Sequence, residues 1–322
     1  MNRRDRALAA LRGLAIGDAL GMPTQLLSRD EIAARFGRIE GFRSAPDDHP
    51  IAAGLPAGSI TDDTEQALLL AGLLIETGGR VEPAEWAARL SRWEDGMRRR
   101  GSLDLLGPST RAAVAAVLAG TPPELAGATG TTNGAAMRIT PVGIAHPADD
   151  LVRLVDAVAQ ACRVSHDTGI AIAGAAAVAA AVSAGLDGAG RAEATELAIA
   201  AARLGQKRGH WIAGASVAAR IGWAVTLDAD AILELIGTSL ATQESVPAAF
   251  GLLAIADGDG WVATTTAAGL GGDTDTIAAM AGAMAGATGW QPSADAVATV
   301  ERVNGLDLAP VADGLLALRA GA

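Results

Sequence analysis

Apolar residues recur at three- and four-residue spacing along almost the whole of this 322-residue sequence, and no segment alternates convincingly at period two. That pattern commits the chain to helices. They are expected over residues 5–20, 64–78, 83–98, 109–119, 149–162, 168–184, 191–204, 228–240, 275–288 and 307–319. Half of the residues are hydrophobic, mostly Ala, Leu, Ile and Val, with three Phe, six Trp and no Tyr. Small aliphatic side chains suit closely packed helices better than pleated sheet. The punctuation agrees. Pro83 fits a first turn after Glu82, Gly78-Gly79 stops the helix before it, and Asp62 with Glu65 reads as a capping box. Clusters of Gly, Pro and Asp at 41–60, 120–135 and 256–274 read as loops. Gly282 and Gly286 allow two helices to approach closely. There is no βαβ rhythm, heptad array, fixed-period repeat or polar linker, so one all-α domain over residues 1–322 is expected.

Several functions are excluded early. A net charge of −11 and a pI near 4.8 repel nucleic-acid backbones. Cys162 is the only cysteine, which rules out an internal disulfide and a cysteine-based zinc site. Lys207 is the only lysine and no P-loop is present; four scattered histidines (His49, His146, His166, His210) make a His-rich zinc site a poor reading. The run Gly169–Gly185 is long enough to raise the question of a membrane span, but Ala and Gly give it low hydrophobicity, so a buried helix is expected. The basic N-terminus is followed by no clean apolar run, so the expected setting is cytoplasmic, away from membranes.

Two acidic clusters each stand at the mouth of an apolar helix: Thr61-Asp62-Asp63-Thr64 and Asp273-Thr274-Asp275-Thr276. Taken singly, each reads as a helix cap. Yet a cap needs one such side chain, and adjacent carboxylates repel unless a cation sits between them. Together the clusters offer the hard oxygen donors that Mg²⁺ or Mn²⁺ prefers. The positive end of a helix dipole opposes a cation, so several carboxylates are required to outweigh it.

These two clusters, with Gly17-Asp18-Ala19-Leu20-Gly21, Thr132-Asn133-Gly134-Ala135-Ala136-Met137-Arg138 and Ser165-His166 in the same order, resemble the motifs of the ADP-ribosylglycohydrolase family over nearly the whole chain. The resemblance implies a compact, single-domain, multi-helix orthogonal bundle. It also implies a centre of two Mg²⁺ or Mn²⁺ ions and hydrolysis at C1″ of a ribose. Carried over by position, the metal ligands are Thr61, Asp62 and Asp63 on one side and Asp273, Asp275 and Thr276 on the other. Asp62, Asp63 or Asp275 would also assist proton transfer. Thr132, Asn133, Gly134, Arg138, His166 and Gly272 would bind substrate. Asp18 reads as a helix-positioning residue rather than a catalyst.

Two features depart from the family pattern, Gln25 and the missing tyrosines, while Asp104 matches an aspartate motif of some members. Gln25 stands where the family commonly places a glutamate, and an amide cannot act as a general base. Asp104, in Leu103-Asp104-Leu105-Leu106-Gly107, is an alternative acid, or else a cap ahead of Pro108. With no tyrosine, an adenine platform has to come from Trp, Phe or His, and Trp261, just before the second cluster, is the leading candidate. Three functions therefore stay open: release of ADP-ribose from a modified protein side chain or small acceptor; hydrolysis of a nucleoside or other ribosyl metabolite; and non-catalytic binding of ADP-ribose.

Overall fold

A computed structural model describes residues 1–103 and 106–321. Among them the chain is all-α, with helices joined by turns and two isolated bridges, Thr132 with Ala241 and Thr168 with His210. Eight helices build the site and its support: α1 (Arg3–Gly21), α2 (Asp62–Thr77), α3 (Pro83–Arg99), α4 (Pro108–Leu118), α5 (Gly169–Leu186), α6 (Thr242–Ile255), α7 (Gly260–Ala268) and α8 (Thr274–Thr288).

The core is a seam between α1 and α8. Side chains added at Gly21, Gly17, Gly13 would collide in turn with the backbone of Asp275, Ala278 and Gly282, and one at Gly286 with the carbonyl of Ala9. The descending and ascending numbers show that the helices run antiparallel, in register every turn. Backbones this close leave no room for a Cβ, which is why glycine occupies these positions. The C-terminal end of α1 therefore abuts the N-terminal end of α8, where the second acidic cluster lies. Helix α5 crosses this pair. It is the one helix among the described residues long and apolar enough to span a membrane, and every residue of it is buried within the protein.

Most expected helices are present, and Pro83 opens α3 while Gly78 ends α2 in a left-handed cap. Three local expectations are corrected. Thr61, not Asp62, caps α2, and Glu65 turns away to accept from the indole of Trp93 and from Arg100, so no capping box forms. Helix over 228–240 stops early: a π-turn at Ile232–Ile236 ends where Gly237 takes φ +87°. Within the expected loop 256–274, α7 forms because Asp259 caps it and Thr264, Thr265 and Thr266 fold their hydroxyls back onto carbonyls one turn earlier.

Candidate active site

The site begins with Asp18, on the last turns of α1 and fully buried. Its carboxylate accepts from the backbone N–H of Thr61 and Thr64 (3.0 and 3.1 Å) and from both hydroxyls, that of Thr61 at 2.7 Å. A residue more than forty positions upstream thus caps α2 from outside and fixes Asp62 and Asp63 against α1. Burial pushes Asp18 up to about 6, and these hydrogen bonds pull against that rise.

The clusters meet at Asp63. The hydroxyl of Thr276, on α8, donates to Asp63 Oδ2 at 3.2 Å, and that of Thr61 lies 3.3 Å from the same oxygen. Asp63 Oδ1 is buried and has no hydrogen-bond partner. Burial first, and then the charges of Asp275, Asp18, Asp62 and Asp273, hold this carboxyl far above the usual range. Asp273 is pushed up to about 6, again chiefly by burial, with relief from hydrogen bonds to Asn133, Thr276 and Asp275. The N-terminal ends of α2 and α8 both face this cluster and favour its negative charge.

Above these carboxylates opens a cavity of about 230 Å³. Gln25, Asp62, Thr132, Asn133, Gly134, Asp273, Asp275 and Thr276 line it; so do Thr110 and Arg111 of α4, with Leu26, Ile51, Leu106, Met137 and Leu240 making its walls apolar. Thr61 and Asp63 lie behind the lining. Asn133 donates to Asp273 and, at 2.9 Å, to Ser245 of α6, and this fixes the Asp273 carboxylate. Gly272 shapes the loop: at φ +84° any side chain would strike Thr238. Its carbonyl and amide bond Leu26 and Leu27 at 2.8 and 3.0 Å.

Arg138 and His166, expected to touch substrate, are instead fully buried behind the wall. Arg138 stacks over Trp86 (5.5 Å to the ring centre) and donates to Gln66 Oε1 at 2.7 Å, and Gln66 donates to Asp62 Oδ2 at 2.7 Å. His166 Nε2 lies 3.0 Å from the hydroxyl of Thr132, with Ser165 Oγ at 2.7 Å on Nδ1. Burial and the neighbouring Arg138 hold His166 well below its usual range, so the imidazole is neutral. Both residues reach the lining at one remove, Arg138 through Gln66 to Asp62 and His166 through Thr132. Asp104 lies outside the described residues.

No tryptophan, phenylalanine or histidine is among the described residues lining this cavity. Trp261 packs edge-on against Phe42 (6.0 Å between ring centres) and lines a different, larger cavity of about 830 Å³ beside Arg29 and Arg38, so it offers no platform over the carboxylates. The larger cavity brings in one carboxylate, Glu40; the acidic chemistry is all in the smaller one.

The oxygen donors of the smaller site are of the kind that a hard divalent cation takes. Four neighbouring carboxylates raise the affinity of Asp63 for positive charge, a buried Asp63 oxygen lacks a partner, and the hydroxyls of Thr61 and Thr276 converge on the same residue. Among the described residues, no three Asp, Glu, His or Cys side chains close around a single point, so hydroxyl oxygens and water have to complete the coordination.

Comparison with known proteins places this arrangement. The ADP-ribosylglycohydrolase family profile matches residues 1–318. A protein of Escherichia coli K12, YegU, described only as uncharacterized, is 34% identical over 98% of each chain. The ADP-ribosyl-[dinitrogen reductase] glycohydrolase of Rhodospirillum rubrum is 33% identical over 45% of this chain and 47% of its own. A solved structure described as an ADP-ribosylglycohydrolase-related protein complex superposes with a TM-score of 0.70 at 27% identity, covering 99% of this chain and 98% of that one. The fold is that of a glycohydrolase. The chain belongs to the ADP-ribosylglycohydrolase family, whose members hydrolyse ADP-ribosyl bonds.

Proposed function

We propose that this chain cleaves the C1″ ribosyl bond of an ADP-ribosylated side chain or small acceptor, with two Mg²⁺ or Mn²⁺ ions held between Thr61, Asp62 and Asp63 and Asp273, Asp275 and Thr276. The observation that carries this reading is the bridge from Thr276 to Asp63 Oδ2, which joins two clusters 213 residues apart at a carboxylate whose other oxygen, Oδ1, is buried with no partner. Such a pair, held by these residues, would supply Lewis acidity and charge neutralisation. The protein does the rest. Asp62, oriented by Gln66 and Arg138, reaches the cavity and is placed to take a proton from water. Asn133 holds the Asp273 carboxylate, and the absence of a side chain at Gly134 lets His166 and Thr110 pack close beneath the cavity lining. Leu26, Ile51, Met137 and Leu240 restrict bulk water around the reacting carbon.

A second reading, hydrolysis of a nucleoside or ribosyl metabolite by the same residues, is favoured by the small cavity and by its lack of an aromatic wall. A substrate panel with Mg²⁺ or Mn²⁺ separates the two. Release of ADP-ribose from arginine- or serine-linked peptides supports the first, and release of free base from nucleosides supports the second. Turnover of neither, with ADP-ribose still bound, would leave a binding protein.

A further inference from the structure

Gln25 sits just beyond the last turn of α1, and the backbone around it is pinned. Its N–H donates to Gly21 O at 3.1 Å and the next N–H donates to Gly272 O at 2.8 Å. His49 accepts the N–H groups of Ile51 and Ala52 on Nδ1 (3.3 and 2.9 Å), so its proton is on Nε2, which donates to Gln25 O at 3.0 Å. Leu26 takes a φ of +63° to complete the turn. Immediately before, the hydroxyls of Thr24 and Thr274 bond each other at 3.0 Å, which seats Gln25 beside Asp273 and Asp275. Its side chain is only 4% exposed, lines the cavity, and keeps a buried Nε2 with no hydrogen-bond partner. A rigid loop cannot swing that donor into solvent, so it stands ready for an acceptor that arrives with the ligand.

We propose that Gln25 is a specificity-determining donor whose side-chain N–H receives an oxygen at the scissile linkage, so that this chain favours O-linked ribosyl groups, on hydroxyl or carboxyl leaving groups, over guanidinium-linked ones. The proposal rests on the ribosyl-hydrolase reading above. An ether or ester oxygen offers lone pairs to an N–H. A guanidinium offers only donors, and a neutral amide supplies no charge to hold it. In the reaction the oxygen of water bonds to C1″ and the C1″–O bond breaks, with its electron pair leaving on oxygen. One proton of the water passes to a cavity carboxylate and returns to the departing oxygen, which leaves as an alcohol or acid. The Gln25 N–H steadies the charge that builds on that oxygen.

The test uses the full chain with Mg²⁺ as wild type, Gln25→Glu and Gln25→Met, on serine-linked and arginine-linked ADP-ribosyl peptides. The wild type should favour the serine linkage by about tenfold or more in kcat/KM. Gln25→Met should lower kcat/KM on that substrate by about a hundredfold, and Gln25→Glu should shrink or invert the preference. A wild type that prefers arginine, or a preference unmoved in both variants, overturns the proposal. A second readout needs no turnover: binding of ADP-ribose, which retains the anomeric oxygen, is followed by calorimetry and by NMR of side-chain amides. The Gln25 amide signal should move on binding, and Gln25→Met should weaken binding about tenfold. If binding behaves so without hydrolysis, the hydrolase reading fails and the donor role stands. An unmoved amide, an unchanged affinity or no binding of ADP-ribose overturns the donor role whether or not turnover occurs.

Discussion

Helices α1 and α8 form two very different regions along one shared interface. Through most of their length they meet as a buried seam rich in Gly and Ala, where a Cβ added at any of the facing glycines collides with the opposite backbone. At the open end, one turn further on, the same helices bring Asp18, Asp273 and Asp275 beside Asp63, leave a carboxylate oxygen and the Gln25 amide without partners, push Asp18 and Asp273 up to about 6 and hold Asp63 well above its usual range. The seam is optimised for its own stability. The end holds charge that the protein alone does not neutralise. Rigidity in the first region is what permits tension in the second, because the seam prevents the carboxylates from spreading apart.

Breaking the seam should have the largest effect. Gly13→Val drives a branched side chain into the carbonyl of Gly282 and should cost about 3 kcal/mol or more, seen as loss of soluble folded protein or a steep fall in Tm. Next comes the brace beneath the cavity. Arg138→Met leaves Gln66 and Ser165 without their donor and should cost about 2–3 kcal/mol, with a fall in kcat larger than the loss of folded protein explains, because Asp62 loses its orientation.

At the charged end the sign should reverse. Asp63→Asn replaces a buried carboxyl that resists ionisation with a neutral amide of the same shape and should stabilise the metal-free protein at neutral pH while weakening metal binding, so chemical denaturation with and without a chelator checks both halves. The pH dependence follows the same logic. Asp18 and Asp273 hold protons more tightly when folded, at about 6, than the 3.8 of the free side chain. Their contribution to stability is therefore present in full below about 4 and lost as pH rises through about 6. Chelator-treated protein should melt higher at about pH 5.5 than at about pH 7.5, and Mg²⁺ at the higher pH should restore the difference. A Tm that falls on acidification over that interval would contradict the reading of a strained carboxylate cluster.

Much of this was legible in the sequence because it was local. The Ala and Gly periodicity marked most helices, Pro83 and Gly78 marked two boundaries, Gly282 and Gly286 marked the close approach, and the acidic pairs marked the two halves of the site. What was not legible depends on contacts across the chain. Thr61 rather than Asp62 caps α2 because Asp18 arrives from α1 to share the work. Arg138 and His166 retreat behind the wall because Gln66, Trp86 and Thr132 are there to receive them, a fact that no spacing encodes. Helix α7 was hidden by its run of threonines, whose hydroxyls are satisfied only by the helix they form. Trp261 looked close to the second cluster along the chain, but α7 points it into another cavity.

The central claim, that the charged end exists to hold divalent cations, is tested most directly by elemental analysis of the purified chain after dialysis against Mg²⁺ or Mn²⁺, beside Asp62→Ala and Asp275→Ala. The account predicts about two ions per wild-type chain and loss of most of that metal in each variant, with helical content by circular dichroism retained. Metal content unchanged in both variants would contradict it.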